Sequence, residues 1–167
     1  MVCWMVIGLE RGIADEADRA VMLFSSGFNC AEADLTVLCE RMEKLDRSFG
    51  GAVPSVATGF GGGIGRPGGT CGALSGAVMA VGLLVGHRRA DDLERKYRAY
   101  DLVLGMIGEF EREFGSSSCR DLIRIDLRVE EERFRFRSQK VQDKVCSKFV
   151  KWCVNYGVRL MDQLKES

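Results

Sequence analysis

Between positions 48 and 69 the chain carries nine glycines and both of its prolines. Such a stretch cannot be regular structure throughout, so it separates two blocks that must meet across it. A loop this rich in glycine inside a compact domain has a task or approaches something closely. Both flanking blocks show the three-four apolar spacing of helices, and no convincing strand or internal repeat is visible.

A first helix is expected over 14–25. Asp15, Glu16 and Asp18 stand in its early turns, where the helix dipole favours acids, and Ala17, Ala20, Val21 and Phe24 form its apolar face. Gly27 stops it, and Asn29 is a good cap for a second helix over 30–42, faced by Ala31, Leu35, Leu38 and Met42. A third helix over 71–85 is apolar all round and should be central. Its Gly72, Gly76 and Ala80 put small residues at spacing four, so neighbouring backbones can pack close to it.

The fourth helix, about 90–114, is amphipathic: Leu93, Tyr97, Tyr100, Leu104, Ile107 and Phe110 track one face, and Gly115 ends it. Ser116, Ser117 and Ser118 cap a short turn beginning at Cys119. Residues 129–138 are charged, with Glu130, Glu131 and Glu132 reading as a solvated face. The last helix is placed over 139–165, striped by Cys146, Phe149, Val150, Cys153, Gly157, Leu160, Met161 and Leu164. Trp4 and Trp152 read as packing anchors. The expected architecture is all-α: one helical bundle of about five helices over 14–167, preceded by an extension over 1–13.

Formal charge is zero, from 24 basic and 24 acidic residues, which gives no electrostatic reason to expect nucleic acid or an anionic membrane as partner. The basic cluster of Arg133, Arg135 and Arg137 follows glutamates. The longest stretch without formal charge, 67–87, opens on glycines and is strongly apolar only from 74 to 85, so a buried helix is expected rather than a membrane span. The start of the chain has no basic leader and no small-residue cleavage site, so a cytoplasmic location is expected, and disulfides are not the default use of its cysteines.

There are seven cysteines. Three of them, Cys30, Cys71 and Cys119, fall at expected helix starts, where unpartnered N–H groups and the helix dipole stabilise a thiolate and lower its pKa. Around Cys119 the charges are mixed, Arg120 and Asp121 both flanking it. Cys3, Cys39 and Cys153 read as small buried hydrophobes; Cys146, on a core-facing stripe, reads equally well either way. No C-x-x-C pair occurs, which removes the usual zinc-finger, thioredoxin and ferredoxin spacings. His87 is the single histidine, so His-rich metal sites are excluded, and c-type haem attachment is excluded with them. Residues 63–68 match G-x-G-x-x-G, but no strand precedes them and no acid follows about 20 residues on, so a nucleotide site is not expected. Arg66 beside that loop reads as a structural ion-pair partner ahead of an anion ligand.

At these residues the chain resembles a family of redox-active proteins named for its cysteine pattern, C…GCAxxG…C…C. The resemblance rests on Gly27-Phe28-Asn29-Cys30-Ala31-Glu32-Ala33, the glycine loop 57–66, Cys71-Gly72-Ala73-Leu74-Ser75-Gly76-Ala77, the segment 114–122 around Cys119, and Cys146 in the terminal helix. The order here is Cys-Gly-Ala, where the family's name writes Gly-Cys-Ala, and 128–142 has no counterpart. The resemblance implies a helical domain with four key cysteines, similar to one associated with an iron–sulfur centre in split-Soret cytochromes.

The first reading is therefore an iron–sulfur protein for electron transfer or redox sensing, with Cys30, Cys71, Cys119 and Cys146 holding a 2Fe-2S or 4Fe-4S cluster and the glycine loop donating N–H groups to the sulfurs. Cys39 and Cys153 stand as alternatives for one of the four. The second is a zinc site or a thiol–disulfide protein with Cys71 as nucleophile. The third is a cofactor-free helical interaction domain. A redox partner protein of unknown identity is implied by the first, and a homodimer by the small-residue helix together with the resemblance.

Overall fold

The computed structural model describes residues 15–43 and 52–166. The expected extension 1–13, with Cys3 and Trp4, lies outside the described residues, as do Ala14 and the first part of the glycine-rich stretch. In chain order the helices are α1 (15–25), α2 (Cys30–Glu43), the single turn α3 (Gly61–Ile64), α4 (Gly72–Val85), α5 (Leu93–Phe114), the short α6 (Cys119–Ile123), α7 (Glu130–Ser138) and α8 (Ser147–Glu166). A 3₁₀ turn, Ser55–Phe60, precedes α3, and a π turn, Gln142–Cys146, precedes α8. Among the described residues there is no strand, only an isolated antiparallel bridge between Thr70 and Ser118. The fold is all-α, with five long helices and short pieces between them.

Helix α4 is central, touching α2, α5 and α8. Small residues allow the approach. A Cβ added at Gly76 would stand 2.6 Å from the Ala31 carbonyl oxygen and 3.1 Å from Asp34 Cβ of α2. Gly157 does the same for α8, where an added Cβ would come within 2.8 Å of Leu38. Between the three helices Leu35, Leu38, Leu74, Val150 and Val154 are fully buried. Each such side chain contributes about 1.5–3 kcal/mol relative to exposure. Arg41 ties the outer ends together, its guanidinium bonding Glu16 of α1 at 2.9 Å and Asp162 of α8 at 2.6 Å.

Helix α5 starts on the Asp92 cap, whose carboxylate accepts from the Arg95 N–H, and ends at Gly115 in the left-handed conformation. Only its second half is covered. Phe110 and Phe114 pack with Phe149 and Trp152 of α8, the Phe110 and Trp152 ring centroids 5.3 Å apart, which makes Trp152 a packing anchor as expected. Leu93, Tyr97, Tyr100 and Leu104, on the expected apolar face, are exposed. The last helix also differs from expectation. It begins at Ser147 rather than near 139, because Lys140 takes a positive φ of 52° and the π turn intervenes. No described helix is long and apolar enough to cross a membrane.

Candidate redox or metal centre

Cys30 is the first residue of α2. Asn29 caps that helix through its side-chain oxygen, which accepts from the N–H groups of Ala31 (2.9 Å) and Glu32 (3.1 Å), while Glu32 accepts from the Asn29 N–H at 2.7 Å. This reciprocal capping fixes the entry to α2 and with it the Cys30 side chain. The glycine loop then folds over Cys30. Gly72 is the contact point: a Cβ there would stand 2.5 Å from Cys30 Sγ and 2.9 Å from the Phe60 carbonyl oxygen. Only glycine leaves the sulfur its place.

Cys71 caps α4 and Cys119 opens α6, and backbone hydrogen bonds join the two. The Cys71 N–H donates to Ser117 O at 2.8 Å, the Cys119 N–H to Gly69 O at 2.7 Å, and Ser118 Oγ to Gly68 O at 3.0 Å. The loop keeps this path by coiling on itself, Gly68 N–H to Gly62 O and Gly69 N–H to Gly63 O. Gly63, at φ 76°, has room for no side chain, since a Cβ would meet Gly69 N at 2.5 Å. Cys146 arrives last, at the end of the π turn. Gln142 pins that turn to α1 by donating from Nε2 to Phe24 O at 2.8 Å. Single π turns inside helices recur at functional sites.

The outcome is that Cys30, Cys71, Cys119 and Cys146 line one small cavity of about 20 Å³, closed by Ala73, Leu122, Ile123 and Phe149. None of the four is in a disulfide. On the side of Cys30, Cys119 and Cys146 lies a larger cleft of about 630 Å³. Cys153 is fully buried in α8 and does not line the small cavity, and neither does Cys39. As the side chains stand, no three His, Cys, Asp or Glu groups among the described residues converge on a point suited to a metal ion. Four soft sulfur donors around one buried space suit an iron–sulfur cluster or zinc in identity and location. Their present orientation is not a finished ligand set.

The electrostatics differ from the sequence expectation in sign. Backbone N–H groups do reach the sulfurs: Gly62 of the glycine loop and the Cys30 N–H at the start of α2 donate to Cys30, and Leu74 and Ala73 at the start of α4 to Cys71. Burial outweighs them. It pushes the Cys30 thiol up to about 12 and Cys119 to about 11, and raises Cys71 and Cys146 as well. The thiols also raise one another, Cys30 and Cys119 both acting on Cys71 and on Cys146. Without a cation the four are neutral thiols and weak nucleophiles.

Asp34 was not singled out by sequence, although it stands four residues after Cys30 on the buried side of α2. It is fully buried, neither carboxylate oxygen has a hydrogen-bond partner among the described residues, and burial pushes its carboxyl well above the usual range. Its charge would be felt at Cys30 and Cys153.

Fold and site together define a helical domain that gathers four cysteines from four segments at one end of its bundle. The chain belongs to the family described as "Putative redox-active protein (C_GCAxxG_C_C)", whose model matches residues 28–160. It is also similar to an uncharacterized protein of Archaeoglobus fulgidus, 34% identical over 110 residues, which cover 62% of this chain and 71% of the relative. No solved structure matches it.

Proposed function

We propose that this chain carries an iron–sulfur cluster on Cys30, Cys71, Cys119 and Cys146 and serves electron transfer or redox sensing in the cytoplasm. The observation that carries the reading is the meeting of four thiols, from four separate segments, at one buried cavity. Four thiolates are the common ligand set of two-iron and four-iron clusters. Bound there, the cluster would take up and release single electrons.

The residues around the thiols have defined tasks in this account. The N–H groups of Gly62, Ala73 and Leu74 stabilise the thiolate form of Cys30 and Cys71, and such hydrogen bonds to sulfur tune a potential. Phe149, Leu122 and Ile123 exclude water from the inner side. The upward shift of the metal-free thiols disfavours a resting dithiol nucleophile, because at neutral pH almost no thiolate is present. Metal binding reverses that balance by deprotonating the ligands.

The test is the visible spectrum of protein purified without oxygen. A brown protein that dithionite bleaches is expected. A colourless protein holding zinc would replace the cluster with a structural thiolate site, and one with neither iron nor zinc after attempted reconstitution would reduce the chain to a helical domain with buried thiols.

A further inference from the structure

The cleft beside the thiols is larger than a metal centre needs. At about 630 Å³ it falls in the range of small-molecule pockets. Cys30, Cys119 and Cys146 line it together with Phe28 and Phe136; Arg66, Arg133 and Arg137 line it too, and among the described residues no aspartate or glutamate does.

The arginines are placed with little to satisfy them. The guanidinium groups of Arg66 and Arg137 have no ion pair or hydrogen bond among the described residues; their backbones bond Gly61 and Lys140. Arg133 is fixed by its Nη1, which donates to the carbonyls of Leu127 at 3.0 Å and Arg128 at 2.8 Å, and it has no acidic partner among the described residues. Several arginines outside the cleft are ion-paired, as Arg19 is with Glu40, Arg41 with Glu16 and Asp162, and Arg128 with Asp126. Arg66 also takes a left-handed backbone at φ 80°, unusual for a side-chain-bearing residue. Its stem lies over Gly62, the loop residue that donates to Cys30: a Cβ added there would stand 3.3 Å from Arg66 Cγ.

We infer that this cleft binds a small organic anion, a carboxylate or phosphate ester with a flat unsaturated body, its charged end on Arg66, Arg133 and Arg137 and its body against the phenylalanines, next to the thiol centre. Arginine suits such oxyanions because its planar fork bonds two oxygens at once. With no acid among the described lining residues, the three arginines give the cleft a positive potential. The inference names the ligand class of the site in the preceding reading, and so rests on that reading for its role but not for its existence.

The probe is 1-naphthyl phosphate, titrated calorimetrically into the full chain, with iron and sulfide measured on the same preparation. Saturable binding is expected. Arg66→Gln and Arg137→Gln should each weaken it about tenfold, while Arg98→Gln, on exposed α5, should leave it unchanged. Circular dichroism of each variant shows that the fold is kept. Absence of binding, or binding indifferent to both cleft substitutions, overturns the inference. So does binding of hexaglutamate alone, which would make the cleft a seat for an acidic protein partner. Iron-containing protein that ignores the probe defeats this inference and spares the cluster; binding by iron-free protein that resists reconstitution does the reverse.

Discussion

The two ends of α4 are built on different principles. Further along, α4 meets α2 and α8 through buried side chains such as Ala77, Ala80, Leu38 and Val150, packing set by periodicity and volume. At its start the same helix meets the glycine loop and α6 through backbone hydrogen bonds and positions where no Cβ fits: Gly63, Gly72, and the pairs Cys71–Ser117 and Cys119–Gly69. The first region stabilises the domain, and the second places thiols. The chain can therefore be destabilised at one end while its site chemistry persists, and disarmed at the other with a smaller loss of stability.

The largest expected effect belongs to the packed region. Leu38 is fully buried against Gly157 of α8, and Leu38→Ala should cost about 3 kcal/mol in urea unfolding, the usual size for a buried leucine, while leaving the content of bound metal per folded chain unchanged. A metal loss as severe as the stability loss would erase the distinction between the two ends. Gly72→Ala should cost about 2 kcal/mol by overpacking, and in contrast should displace Cys30 and lower metal content. Gly82→Ala, in the same helix but with open space for its methyl, should be neutral or stabilising by up to about 1 kcal/mol. If the two glycine changes behaved alike, the close approach at Cys30 would not be what matters.

Asp34 sits where the two regions join, and its effect is one of pH. Burial raises its carboxyl in the folded state. Its contribution to stability is thus fully present below the unfolded pKa, about 3.9, and is lost as pH rises towards the folded pKa. In that window the loss approaches about 1.4 kcal/mol per pH unit. Asp34→Asn should remove this slope, so the variant gains on the natural chain as pH rises. Parallel stability curves for the two proteins would mean that Asp34 is partnered in solution.

Much of this architecture was legible in the residues. Asn29 and Ser118 announce their helices because a cap is a local device, and Gly72 and Gly76 at spacing four announce a close neighbour. Cys30, Cys71 and Cys119 were legible as a set because they share helix starts, while Cys146 joined them only through the family resemblance. What was hidden depends on distant chain. Apolar periodicity continues through 139–146, so nothing local reveals the break at Lys140 or the π turn that sets Cys146. The stripe from Leu93 to Leu104 reads like a core face, and only the tertiary arrangement leaves it uncovered. Helix-start stabilisation of the thiols was readable, but the depth of burial that outweighs it was not.

The most direct test compares cysteines across the divide. Iron and acid-labile sulfide would be measured per chain in anaerobically purified protein and in six single Cys→Ser variants. The account predicts that the natural chain holds both, that serine at 30, 71, 119 or 146 removes or sharply lowers them, and that serine at 39 or 153 leaves them in place. A natural chain without iron or sulfide after reconstitution, or a loss at Cys153 with none at Cys146, would contradict it.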